Sequence, residues 1–519
     1  MREYQTIARL FQAFTLTVLL LALRHGRAEV STRFTVPTGP DVTAIDAYIE
    51  GRMRELRIPG LAVGIVQGDR IVHLKGFGIA DPSGRPVMPR TPFVLGSVSK
   101  SLTALAIMQL VDAGKVELDA PVRRYLPWFR LADAQASALI TVRHLLMHTG
   151  GLPRSADGQT VYVRDTGEGA LERQIRGLAS VAAPHPAGTA YEYTNADFNI
   201  LGLVVEAVSG QPFGDYLQAR VFTPLAMQHS ATRPEAAHDL AMGYRYWFGR
   251  PVPARMPAAP ANLPSGFIIA SAEDMTHVLV AHLNGGRYAG ETVLSAAGID
   301  TLQQAFATGA GTLQAGIAWD VIETRSGVRM LAKDGATANY HARLVLIPGG
   351  KWGVIVLANA FENGSMARFN TLADGVAVLL LGRSPVPTLP ANALGPMRWA
   401  LAAVVVLALI AALRSVRAAR RSTTGQLARP ADGRALARSR WWSWTGHVLL
   451  ALAILASPRL MGMTLVPFLY DYSPDIFWLL VALAGIPLSA YLVTAGPSLA
   501  QQTTARPEVR REEPKHVKT

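Results

Sequence analysis

The sequence predicts an α+β fold: an antiparallel sheet with flanking helices and an inserted helical lobe, followed by transmembrane helices. Three observations carry this. Strand-hairpin patterns stand near both ends of residues 29–397, helical periodicities fill the space between them, and apolar runs bounded by arginine occupy residues 398–499.

Leu10 to Leu23 is uncharged and mostly apolar behind Arg2 and Arg9, the form of a secretory leader. Ala28 offers a cleavage end, but Arg24 and Arg27 make that site poor, so residues 1–28 read as a signal peptide or an uncleaved N-terminal anchor. A catalytic-sized domain follows over 29–383. Its first hairpin is Leu61 to Val66, a Gly68-Asp69 turn, then Ile71 to Phe77. Its last is Leu344 to Ile347, a Pro-Gly-Gly turn at 348–350, then Val354 to Leu357. Apolar residues recur at helical spacing over 99–113, 196–208 and 271–284. Strands at both ends with helices between imply a sheet closed by the two ends of the domain, the helices forming a second lobe. Segments 153–190 and 248–265 are rich in Pro, Gly and Ala and read as loops, and 384–397 is a short Pro-containing linker.

Three spans are predicted beyond it. Trp399 to Leu413 covers only about 22 Å, so its flanking Arg398 and Arg414 must snorkel or neighbouring turns must join. The second runs from Gly446 to Tyr470 with Arg459 inside it, and the third from Ile476 to Leu499 without a charge. Tryptophans 399, 441, 442, 444 and 478 cluster near the proposed ends, where interface rings sit. The loop 414–440 carries eight arginines and one aspartate, which places it on the cytoplasmic side together with the tail 500–519. Residues 29–397 then face outward. The expectation is a multi-pass protein of a bacterial inner membrane with its catalytic domain in the periplasm and the lipid bilayer as a partner.

The net charge of +13 on 519 residues invites a nucleic-acid reading. Its distribution argues against one. Residues 1–28 carry +3, residues 398–519 carry +9, and only +1 remains on 29–397. Zero cysteines exclude disulfides, Cys-ligated zinc, iron–sulfur clusters and thiol catalysis. No carboxylate or histidine spacing suggests a metal, and no cofactor is expected.

Three phrases can carry chemistry. In FVLGSVSKSLTAL, 93–105, Ser97 and Lys100 stand one turn apart at a helix start, where backbone N–H groups face charge developing beside the serine. A lysine at the start of an apolar helix can have a depressed pKa and help remove the serine proton. The bland alternative is a serine cap and a surface lysine. Lysine is scarce, with seven against 43 arginines, so its placement here is informative. In AYEYTNADFNILG, 190–202, Tyr193 and Asn195 precede an apolar helix. Tyr193 could exchange a proton and Asn195 could hydrogen-bond a substrate amide and orient Lys100, or both could simply pack and cap. In KDGATANYHARLVLIPGGKWGVIVLAN, 333–359, Gly335 permits close approach to a strand, and the Ala336 N–H would join that of Ser97 as an oxyanion donor. By itself this is an ordinary turn entering a strand.

Ser97-Val-Ser-Lys100, Tyr193-Thr-Asn195 and Lys333-Asp-Gly335, in this order, resemble the signature elements of the serine β-lactamase and D,D-peptidase family, in its branch of class C β-lactamases, serine esterases and D-amino-acid peptidases. RHLLMHTGGLP at 143–153 and LVDAGKVELDAPVRRYLP at 110–127 also resemble it, and the likeness covers roughly 41–380. The resemblance implies a β-lactamase/transpeptidase-like two-lobed domain. It implies Ser97 as the acylated nucleophile, Lys100 and Tyr193 as proton carriers, Asn195 as a substrate contact and Lys333 as a source of positive potential. His144 and His148 read as structural, since the family works through lysine and tyrosine. Asp334 departs from the family's usual Thr, Ser or Gly. An aspartate there would oppose an anion, which argues against efficient β-lactam hydrolysis and for a neutral or amine-bearing substrate, unless an ion pair neutralises Lys333.

An exported domain of this type before three helices resembles membrane peptidases that remove an N-acyl-D-amino-acid cap from a peptide prodrug, of the colibactin-maturation kind. Lys333 stands where such a peptidase has histidine. The expected partner is therefore a small peptide, acyl-amino-acid or ester substrate. The alternatives are a serine esterase, a D,D-carboxypeptidase and, from another class, an acylated membrane receptor without turnover.

Overall fold

The structure is a computed structural model and describes residues 40–157, 165–255, 259–306, 313–324, 327–389, 392, 395–424, 473–483 and 485–486. Its centre is an eight-stranded antiparallel sheet. In chain order the strands are β1 (Gly60–Gln67), β2 (Arg70–Gly78), β3 (Ala305–Phe306), β4 (Leu313–Gly316), β5 (Asp320–Glu323), β6 (Arg329–Ala336), β7 (His341–Ile347) and β8 (Trp352–Ala358). They lie side by side as β2-β1-β8-β7-β6-β5-β4-β3. Strand β1 pairs with β8, Leu61 opposite Ala358, so the sheet is closed by the two ends of the domain as the hairpin patterns imply. The first turn holds Gly68 at φ 60°, and Lys351 takes φ 52° after the 3₁₀ turn Pro348–Gly350.

Alternation along the strands sorts the core into two layers. Leu61, Val63, Ile65, Val354 and Val356 point to one face, where α1 (Val42–Leu56) and α6 (Met366–Leu380) cover them with Ile45, Ile49, Phe369 and Leu372. Ala62, Ile355, Leu357 and Leu344 point to the other, against α5 (Ala272–Leu283) and the helical lobe. A Cβ on Gly64 would lie 2.4 Å from the Thr276 side chain of α5, so a glycine is what lets that helix sit close to β1. The lobe holds α2 (Ser99–Asp112), α3 (Val142–Leu146) and α4 (Asn195–Ser209). Helix α2 is buried from Ser99 through Met108, which explains why apolar residues surround it with almost no polar face.

The membrane expectation needs correction. Among the described residues one helix is long and apolar enough to cross a membrane, the stretch Gly395–Arg414 of α7 (Gly395–Thr424), 6% buried over its apolar window. Of the proposed third span, 476–499, the described part begins as the apolar helix Pro474–Leu483, and residues 487–499 lie outside the described residues. The proposed second span, 446–470, and the leader, 1–28, lie outside the described residues. A multi-pass inner-membrane protein is thus not what the described helices form. The physical reason shows at Arg398, which does not snorkel. It is 3% exposed, donates to Glu362 at 2.6 Å, and holds Asp475 at 2.7 Å in a charge contact that lacks hydrogen-bond geometry. The 384–397 linker is also anchored, by Arg52 to the Val386 carbonyl and by Asn392 to Glu362 at 3.0 Å.

Candidate active site

The site forms where the helical lobe meets the outer edge of β6. Strand β5 pairs with β6 only from Arg329 to Ala332, so among the described residues the outer edge of β6 from Lys333 to Ala336, opposite β7, has no strand on it and faces the turn before α2. That turn carries Gly96 at φ 55° and Ser97 in a 3₁₀ turn leading into the helix. A Cβ on Gly96 would sit 2.5 Å from the Ala336 nitrogen, and one on Gly335 2.1 Å from the Leu95 carbonyl oxygen and 2.8 Å from the Ser97 nitrogen. Two glycines therefore let two backbones touch, and the contact brings the backbone nitrogens of Ser97 and Ala336 close together. Paired N–H donors of this kind suit an oxyanion.

The side chains converge on Ser97 Oγ. The Tyr193 hydroxyl donates to it at 2.8 Å, and Lys100 Nζ lies 3.1 Å away. Lys100 donates to Asn195 Oδ1 and to the Ser265 carbonyl, both at 2.6 Å. Thr194 caps α4 through the Ala196 N–H, which sets Tyr193 and Asn195 at the helix entrance. Lys333 reaches along β6 until its Nζ is 5.2 Å from the Tyr193 ring centre. Thus Ser97, Lys100, Tyr193, Asn195, Lys333, Gly335 and Ala336 come together at one place.

Residues 45–378 match the family model described as Beta-lactamase. The chain belongs to the beta-lactamase family. Penicillin-binding protein 4 of Amycolatopsis lactamdurans is 33% identical over 333 residues, 60% of this chain and 83% of that protein. Esterase EstB of Burkholderia gladioli is 34% identical over 237 residues, 43% of this chain and 59% of that protein, so less than two thirds of the esterase is spanned. Among solved structures, an octameric penicillin-binding protein homologue from Pyrococcus abyssi superimposes with a TM-score of 0.58 at 27% identity, covering 67% of this chain and 79% of that one. As a member of the beta-lactamase family, the chain is a serine hydrolase.

Electrostatics assign the resting protonation of this beta-lactamase-family site. Burial, and then Lys333, push Lys100 well below the usual lysine range, against the opposing pull of Asp157, Asp197 and Asp334. Burial pushes the Tyr193 phenol well above its usual range, so it stays a donor to Ser97 rather than a phenolate. A neutral lysine has two N–H donors and one lone pair. With its donors held by Asn195 and the Ser265 carbonyl, the lone pair of Lys100 is left for the Ser97 proton.

Asp334 does not stand where the sequence reading places it. Residues alternate along β6, and Lys333 shares a face with its cross-strand neighbour Leu344 towards the helical lobe. Asp334 pairs in register with Arg343 and turns to the α6 side. Arg343 donates to it at 3.2 Å and to Asp374 at 2.7 and 3.1 Å. The carboxylate thus neutralises Arg343 and leaves Lys333 without an ion-pair partner among the described residues, the reverse of the expected repulsion. Asp334→Asn is expected to change acylation of Ser97 by a β-lactam probe less than about fivefold, the size of a part-exposed ion-pair effect. Acylation rates from intact mass check this, and a larger drop would return Asp334 to the substrate.

Two features escaped the sequence reading. Asp157 accepts hydrogen bonds from the Thr194 hydroxyl at 2.6 Å, the Asn195 backbone N–H at 2.7 Å and the Asn195 side-chain amide at 3.0 Å. It lies in a helical turn, Ala156–Asp157, within a stretch that reads as a loop and has no periodicity to reveal it. His148 is structural in a more specific sense than expected. Its Nδ1 lies 2.7 Å from Asp197 Oδ2, and its ring packs 4.4 Å from the Tyr193 ring. Burial lowers the histidine and raises the aspartate. His144 is a capping residue, its backbone N–H bonded to the Thr141 hydroxyl and its ring to the Thr141 N–H. Among the described residues no cluster of three metal-ligating side chains occurs.

Proposed function

We propose that this chain is an acyl-enzyme serine hydrolase acting on peptides that end in a free carboxylate, in the manner of a D,D-carboxypeptidase. Ser97 attacks the scissile carbonyl while its proton passes to neutral Lys100. The Ser97 and Ala336 N–H groups receive the oxyanion, and Tyr193 delivers a proton to the leaving amine and regains one from the Lys100 ammonium, so that both groups end as they began. Water then resolves the ester. The observation that carries the reading is Lys333. It is 6% exposed, lies over the Tyr193 ring, and has no carboxylate within ion-pair distance among the described residues, with Asp320 its more distant acidic neighbour, so a substrate carboxylate can serve as its direct counter-ion.

The likeness to a penicillin-binding protein supports this reading, and the likeness to EstB supports ester hydrolysis as the second one. The cap-removing prodrug peptidase is not carried forward. It rested on a three-helix layout, and one membrane-length helix is described. The test compares an N-acyl-D-alanyl-D-alanine peptide with its C-terminal amide. The acid is expected to be turned over at least about tenfold faster in kcat/KM, and Lys333→Ala to erase that preference. Equal turnover of acid and amide, with nitrophenyl esters far faster than either, would replace this reading with the esterase.

A further inference from the structure

Asn195 presents an amide whose oxygen and nitrogen have the same shape, yet only one orientation serves Ser97. With Oδ1 towards Lys100, the lysine spends an N–H on the amide and keeps its lone pair for the serine. With the amide reversed, an NH₂ group would meet Nζ, compete for that lone pair and repel any charged form. Shape does not decide between these states, so a neighbouring group must.

We infer that Asp157 is a positioning residue that selects the amide orientation of Asn195 and through it directs Lys100 at Ser97. The carboxylate receives Asn195 Nδ2 on Oδ2 at 3.0 Å, while Oδ1 takes the Asn195 N–H at 2.7 Å and the Thr194 hydroxyl at 2.6 Å. Reversing the amide would place its oxygen against a carboxylate oxygen as well as its NH₂ against the lysine, so two contacts fail together. The result is a chain from Asp157 to Asn195 to Lys100 to Ser97 that spans three separate segments. Its hydrogen bonds to Thr194, Asn195 and Ala196 connect Asp157 to the nucleophile through those neighbours.

The carboxylate also belongs to the charge balance of the lysine. Lys100 is faced by Lys333 from β6, by Asp197 from α4, by Asp157 and Tyr193 beside the entrance of α4, and by His148 behind the Tyr193 ring, and it feels the charge of Asp334 through the sheet. Lys333 disfavours the ammonium, and the three carboxylates favour it. Removing the charge of Asp157 therefore moves Lys100 further down, and the acid limb of the rate profile moves down with it.

The inference rests on the Ser97–Lys100 reading, and the experiment separates the two. Native chain, Ser97→Ala, Asp157→Asn, Asn195→Ala and the double variant Asp157→Asn/Asn195→Ala are compared by rate of acylation with a nitrophenyl ester and by mass of the trapped adduct. Asp157→Asn is expected to acylate about 10²-fold more slowly, with the acid limb about one unit lower and the thermal midpoint within a few degrees of native. The double variant is expected to be no slower than Asn195→Ala alone, because both changes break one chain. If Ser97→Ala still forms the adduct, the underlying mechanism is wrong. If Ser97 is the nucleophile and Asp157→Asn acylates at the native rate, the positioning role is wrong. A slow Asp157→Asn with an unmoved limb and additive losses in the double variant overturns it equally, since that is the pattern of a merely structural contact.

Discussion

Lys100→Ala is expected to slow acylation of Ser97 by about 10³-fold while leaving the oxyanion pocket intact. The lysine is fully buried, and its two fixed acceptors, Asn195 Oδ1 and the Ser265 carbonyl, leave one direction in which it can take a proton. No other group at the site replaces it. Tyr193 is held protonated by burial, and His148 faces the back of the tyrosine ring with its Nδ1 given to Asp197. The pH dependence follows from the sign of the lysine shift. A base with a depressed pKa is active above that pKa, so the native rate falls as pH drops through it, and the variant loses this limb along with its rate. Stability has the same origin. Between the depressed pKa and the ordinary lysine value the unfolded chain binds more protons than the folded one, so the native protein gains stability with rising pH across that window, and the variant lacks this contribution. Stopped-flow acylation between acid and alkaline pH checks the first statement, and denaturant midpoints over the same range check the second. A variant that acylates within tenfold of native, with the limb unchanged, would require a different base.

Gly335→Ala is expected to cost about 10²- to 10³-fold in kcat by separating the oxyanion donors. The added methyl would meet the Leu95 carbonyl oxygen at 2.1 Å and the nitrogens of Ser97 and Val98 at 2.8 Å. All three are backbone atoms, so no side chain can rotate away. Strand β6 or the Ser97 turn must move, and either movement opens the pocket between the Ser97 and Ala336 N–H groups. The edge of β6 at this point carries no further strand, so the sheet can absorb the shift without unfolding. Steady-state kinetics beside a thermal melt test this. A large loss of kcat with a small change in melting temperature is expected, and an unaffected kcat would place the oxyanion elsewhere.

Much of this arrangement was legible in the residues. The two hairpins announce themselves because each couples alternating strands to a turn that only glycine or a Pro-Gly-Gly run makes easy, and α2, α4 and α5 because their apolar residues recur at helical spacing. Helices α1 and α6 were missed for the complementary reason. They are the flanking helices the fold class implies, but their apolar spacing did not single out Val42–Leu56 or Met366–Leu380. Strands β3 to β5 are two to four residues long, too short to show a period. At the site, spacing found the groups that contact one another directly. It could not find Asp157, an aspartate in a non-periodic stretch whose value lies in which amide it faces. The side of the sheet taken by Asp334 was within reach, since alternation from an inward Lys333 turns it outward. The arginine at 398 misled because its partners, Glu362 and Asp475, are distant in the chain and invisible to a window of neighbouring residues.

That same arginine determines what a usable fragment of this protein is. A chain cut before α7 would retain Glu362, 10% exposed on its side chain, after losing the guanidinium that neutralises it. Replacing Arg398 alone, with the helix left in place over Glu362 and Asp475, would cost about 3–5 kcal/mol, a large share of the stability of an ordinary domain, and a cut before α7 opens the same seam to water. The hydrolase domain and the first turn of the following helix therefore behave as a keystone and its arch. The natural place to shorten the protein lies beyond Arg398, not at the proline-containing stretch that looks like a hinge.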